Sequence, residues 1–148
     1  MSLEQTISEA IKTAMREKDR VALDSLRAVK AQILLLQTEA RGAEVTAEQE
    51  IAILQRMIKQ RKDSYDQFTA QGRTDLAEVE EAQSKIIEKF LPKQLSAEEL
   101  ESEINKIISE TGAESLKDLG KVMGVASKAL AGKSDGKTIS EMVKKLLS

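Results

Sequence analysis

The stretch Phe90-Leu91-Pro92-Lys93-Gln94-Leu95-Ser96-Ala97-Glu98-Glu99 divides the chain, and with it the fold. Pro92 is the only proline in 148 residues. It lacks the N–H that a helix interior needs, and it pushes Leu91 out of the α region. Ser96 then stands three positions before Glu99, the spacing of a capping box, in which hydroxyl and carboxylate each satisfy an N–H at a helix start. One helix ends near Phe90 and another begins near Ala97, with a short, stiff joint between them. The sequence therefore predicts an N-terminal domain over 1–91 and a C-terminal domain over 92–148.

Working outward, the same punctuation recurs. Ser2 with Gln5, Thr46 with Gln49 and Thr138 with Glu141 repeat the capping-box spacing, and Asp19, Thr74 and Ser115 are further N-cap candidates. Gly42, Gly72, Gly112 and Gly132 stand where left-handed residues close helices. Helices are expected near 3–17, 20–41, 47–71, 75–90, 97–111, 116–131 and 139–147. Apolar seams step by three and four: Ala22, Leu26, Val29, Ile33, Leu36 in one, and Ile51, Leu54, Ile58, Arg61, Tyr65, Phe68 in another. No window alternates as a strand does. The expected fold is all-α, a four-helix bundle-like N-terminal domain followed by a small three-helix C-terminal domain.

Composition excludes several chemistries. The chain has no cysteine and no histidine, which removes thiol nucleophiles, disulfides, the usual zinc ligands and the commonest general base. Aromatic residues make up 2%, only Tyr65, Phe68 and Phe90, so the core must be aliphatic. The longest aliphatic run, Ile33 to Leu36, is far too short to cross a bilayer. Glu4 and Glu9 occupy the place where a secretory leader needs an apolar run. No membrane association is expected, and the localisation expected is cytoplasmic.

Charge is distributed unevenly. The net charge is −2, but residues 117–148 carry seven lysines against Asp118, Asp135 and Glu141, a local +4. Residues 93–116 hold six acids and two lysines, a local −4. The basic segment also concentrates glycine. Gly120 and Gly124 fall inside an expected helix, where each costs about 1 kcal/mol relative to alanine. Two explanations stand: close packing of a neighbouring helix, which the Gly-x-x-x-Gly spacing alone favours, or close approach of a ligand such as a phosphate. The lysines pull toward the second, because phosphate contacts need cations on a small exposed surface. The RNA-binding candidates are Lys117, Gly120, Lys121, Gly124, Lys128, Lys133, Asp135, Gly136 and Lys137.

Other candidates have plainer readings. Gly132-Lys133-Ser134 and Gly136-Lys137-Thr138 look like the end of a phosphate loop, but the required upstream glycines are Ser127 and Ala131 instead. Arg61 interrupts an apolar seam and is expected to reach an acid on a neighbouring helix, Glu80 being one candidate. Lys59, Lys62 and Arg73 would be needed to turn it into a basic stripe, and Asp63, Asp66 and Asp75 weaken that. Glu78, Glu80, Glu81 and Glu88 read as a solvated helix face. No catalytic residue, metal site or cofactor is expected.

Four separated motifs carry a family resemblance: Gly72-Arg73 with Asp75-Leu76-Ala77-Glu78, Leu91-Pro92-Lys93-Gln94-Leu95-Ser96, Gly120-Lys121-Val122-Met123, and Asp135-Gly136. In order, and across nearly the whole chain, they resemble YqeY-type proteins, stand-alone relatives of the GatB tail of the aspartyl/glutamyl-tRNA amidotransferase. The sequence departs from that pattern at Gln83, where a glutamate is expected, and at Phe90 in place of tyrosine. The resemblance implies an all-helical, two-part fold and a link to tRNA, whose body the amidotransferase tail contacts. The matching positions are Gly120, Lys121, Val122, Met123, Asp135 and Gly136, with the joint around Pro92. A label such as carbon–nitrogen ligase with glutamine as amido donor would come with the family name, but this chain has no nucleophile constellation, ammonia channel or nucleotide site to perform it. The expected partner is tRNA, bound by shape and backbone since aromatics for stacking are scarce. The alternative is a protein module that docks on an aminoacyl-tRNA synthetase or amidotransferase.

Overall fold

A computed structural model describes residues 2–148. Among them are seven α-helices, one 3-10 turn and no strand. The chain forms two compact units, Met1–Leu91 and Pro92–Ser148.

In the first unit, α1 (Leu3–Glu17) and α2 (Arg20–Glu39) are joined by a two-residue turn. Lys18 closes α1 in the left-handed region at φ 56°, and the Asp19 carboxylate then caps α2 by accepting the Ala22 N–H at 3.0 Å. α3 (Ala47–Ala70) starts at the expected Thr46–Gln49 box. With α4 (Thr74–Glu88) it makes the most extensive helix–helix interface of the chain. α2 packs against α1, α3 and α4, and Ile7, Leu26, Val29, Ile33, Leu54, Met57 and Ile87 fill the core between them.

In the second unit, α5 (Ala97–Thr111), α6 (Leu119–Ala129) and α7 (Gly136–Leu147) pack pairwise. Each contributes three core residues at helical spacing: Leu100, Ile104 and Ile107; Val122, Ala126 and, just past the end of α6, Leu130; Ile139, Val143 and Leu147. This core is entirely aliphatic.

Three local expectations need correction. The Thr138–Glu141 box does not form, because α7 begins earlier, at Gly136, and the Asp135 carboxylate caps it through the Thr138 N–H at 2.6 Å. Aspartate is at least as good a cap as threonine, and the earlier start adds most of a turn. Thr74 is inside α4 rather than its cap, since Arg73 occupies the cap position and holds Asp75 through two bonds of 3.2 and 3.1 Å. The segment expected as one helix over 116–131 starts with a 3-10 turn, Leu116–Asp118, and only then becomes α6.

Candidate nucleic-acid interface

α6 shows how the second unit meets solvent. Val122 and Ala126 are buried, and Leu119 and Met123 pack beside them. Gly120, Lys121, Gly124, Val125, Ser127 and Lys128 are exposed. At 3.6 residues per turn these six span an arc of about 160°. Its order across the helix is Ser127, Gly120, Gly124, Lys128, Lys121, Val125, a bare strip with two ammonium groups along one side. Lys117, exposed in the 3-10 turn, precedes Lys121 by four residues.

The glycines have no packing reason. A Cβ built on Gly120 or Gly124 meets no heavy atom within 4 Å, and neither residue has a positive φ. The close-packing explanation favoured by the Gly-x-x-x-Gly spacing is therefore overturned, because the strip faces outward and, among the described residues, no helix packs against it. Gly132, by contrast, is buried and needs its left-handed φ of 78°, as its place after α6 suggests.

α7 presents a second basic row. Lys137 and Lys144 lie seven residues apart on one exposed side, with Glu141 between them and Lys145 beside it. Lys133 is exposed in the α6–α7 loop. The Asp135 carboxylate is engaged at the start of α7, so its role visible here is structural. Gly136 opens α7 with open space where a Cβ would stand.

The loop is held by residues that the linear pattern assigns only to the joint. Gln94 Nε2 donates to the Pro92 carbonyl at 2.9 Å and to the Gly132 carbonyl at 2.5 Å. The Leu95 N–H donates to the Lys133 carbonyl at 2.9 Å. Pro92–Leu95 thus clasps the loop that carries Lys133. The signal that points here is Gln94 in a motif with no helical role, but its partner, 38 residues away, is not visible in a linear pattern.

Electrostatics follow from the order of helices. Each helix of a three-helix unit shows its own outer face, so charge separated along the chain is separated in space. α5 exposes Glu98, Glu99, Glu101, Glu103 and Glu110 with only Lys106 among them, whereas α6 and α7 expose the lysines. Among the described residues, the ion pairs within 4 Å are Arg20–Asp24, Lys59–Asp63, Lys62–Glu88, Arg73–Asp75 and Lys85–Glu81, all in the first unit. These pairs occupy Lys59, Lys62 and Arg73, so no free basic stripe forms there. Arg61 does not form the expected ion pair either: its Nε donates to Gln83 Oε1 at 3.2 Å and its Nη1 to the Met57 carbonyl at 3.3 Å.

The profile of the YqeY-like proteins matches residues 4–147. The chain belongs to the YqeY-like family. Its relatives include "Altered inheritance of mitochondria protein 41, mitochondrial" of Pyrenophora tritici-repentis, 27% identical over 140 residues, covering 93% of this chain and 76% of that protein. The protein of the same name in Meyerozyma guilliermondii is 36% identical over 91 residues, 58% of this chain and 44% of its own. That of Clavispora lusitaniae is 31% identical over 105 residues, 70% of this chain and 61% of its own. For the last two, the match spans less than two thirds of the relative. The expectation of a cytoplasmic protein is corrected by these matches, since each of these YqeY-like relatives is named as mitochondrial. That expectation rested on the absence of an apolar leader, which speaks only to secretion. Organelle transit peptides are amphipathic and arginine-rich, so an apolar-run criterion is blind to them.

Proposed function

We propose that this YqeY-like protein is a helical adaptor that binds the body of tRNA through α6 and the α6–α7 loop, and that it works in aminoacyl-tRNA metabolism without catalysing a reaction itself. One observation carries the reading: Gly120 and Gly124 lower helix stability, yet a Cβ at either would meet no atom of the described residues within 4 Å, so close packing does not require them. A bare strip beside Lys117, Lys121 and Lys128 lets a sugar–phosphate backbone approach the helix closely while ammonium groups reach its phosphates. Among the described residues these three lysines have no acidic partner within 4 Å, so no ion pair has to break first. The acidic α5 face supports one orientation, with α5 turned away from the polyanion.

A tRNA titration at several salt concentrations tests this. Association should weaken steeply with salt, and Lys121→Glu with Lys128→Glu should lower the slope of log K against log salt by about 2. Absence of tRNA association even at low salt would overturn the proposal. The docking alternative predicts instead a synthetase or amidotransferase partner whose binding survives the same charge reversals.

A further inference from the structure

On the first unit, α3 and α4 border an open groove of about 270 Å³ that the proposed RNA face does not use. Arg61, Glu80 and Ser84 line it, and the Lys62–Glu88 and Lys85–Glu81 pairs, at 3.6 and 3.1 Å, also lie along it. Two features inside the groove are incomplete. Ser84 is 4% exposed, and among the described residues its Oγ is the buried side-chain atom with no hydrogen-bond partner. A buried hydroxyl left unsatisfied costs about 1–3 kcal/mol, so such atoms are rare in folded proteins.

The second feature is Arg61. Its guanidinium is half-buried, and both of its hydrogen-bond acceptors, Gln83 Oε1 and the Met57 carbonyl, are neutral. Burial holds the guanidinium below its ordinary pKa, and Glu80 acts in the opposite sense through space without forming an ion pair within 4 Å. Buried charges in proteins are ordinarily paired. Arg61, with no ion pair within 4 Å, and Ser84, with no hydrogen-bond partner, thus line the same groove.

We infer that this groove binds a small monocarboxylate between the Arg61 guanidinium and the Ser84 hydroxyl. The planar fork of arginine matches the two oxygens of a carboxylate, and a serine hydroxyl donates to one of them. A phosphate dianion fits less well, because Glu80, which forms no ion pair within 4 Å, lines the same groove and would repel a second negative charge. The two lysines there are already matched by Glu88 and Glu81 and leave no cation to offset that charge.

The test follows the Arg61 Nε–H resonance of the full chain by NMR while sodium acetate, sodium phosphate or sodium chloride is added at matched ionic strength. Acetate should produce a saturable shift that chloride does not, with phosphate weaker. Ser84→Ala should reduce acetate affinity about tenfold through loss of one charge-assisted bond, while leaving fold stability unchanged or raised. Gln83→Glu, which gives Arg61 an internal carboxylate, should abolish the acetate response. The inference is overturned if acetate shifts the resonance no more than chloride, if phosphate binds more tightly, or if Ser84→Ala binds acetate as the wild type does.

Discussion

Replacing Gln94 with alanine tests whether the joint organises the basic module. The substitution removes one side-chain donor group and two bonds, to the Gly132 carbonyl at 2.5 Å and to the Pro92 carbonyl at 2.9 Å. A neutral hydrogen bond contributes about 0.5–1.5 kcal/mol net. The bond to Gly132 is partly buried and belongs toward the upper end, and the exposed one toward the lower. The local loss should be about 1–2 kcal/mol, which is roughly a 5–30-fold change in an opening equilibrium. Aromatic fluorescence does not report on the second unit, since Tyr65, Phe68 and Phe90 all precede Pro92. Native-state amide exchange can. The Leu95 N–H, bonded to the Lys133 carbonyl at 2.9 Å, should exchange roughly 5–30 times faster in Gln94→Ala. The Val143 amide, in the middle of α7, should change much less. A change of less than about twofold at Leu95 would show that the clasp does not hold the loop.

Three further outcomes are expected. Gly124→Ala should stabilise the second unit by about 0.5–1 kcal/mol, since a methyl there enters open space, and should weaken tRNA association; thermal unfolding that showed destabilisation would contradict the open face. Asp135→Ala should cost about 1 kcal/mol by uncapping α7, whereas Asp135→Asn, an equally good cap, should stay within about 0.5 kcal/mol of wild type in urea unfolding. The Glu99 carboxyl is held below the ordinary glutamate value by the Ser96 hydroxyl and N–H, so this contribution is present above the unfolded pKa and is lost as pH falls through the folded one. A carboxyl NMR titration should place the Glu99 midpoint below that of free glutamate, and a midpoint at or above it would contradict the capping box at α5.

The helices were legible because their signals are local. Ser2, Asp19, Thr46 and Ser96 cap where their spacing says, and the four glycines at 42, 72, 112 and 132 take positive φ. Thr138 misled because Asp135, three residues earlier, caps the helix by accepting the Thr138 N–H, which puts Thr138 inside α7. The basic face was harder. That Gly120 and Gly124 face solvent depends on which side of α6 is buried, and Gly-x-x-x-Gly is compatible with both. The acceptor for Arg61 was obscure for another reason: a guanidinium donates to any oxygen within reach, and here the amide of Gln83 takes the place of a carboxylate. The clasp at Gln94 and the orphaned Ser84 hydroxyl arise from three-dimensional neighbours, which no periodicity encodes.

The opposed charges of α5 and of α6 with α7 give the small unit a permanent electric moment. An approaching polyanion would exert a torque on it before any atom touches, swinging the lysines forward and the glutamates to the rear. With a screening length of about 8 Å at physiological ionic strength, that rotation is confined to the last moments of the encounter. Correct alignment would then be selected during approach, and far fewer collisions would be wasted on the wrong side.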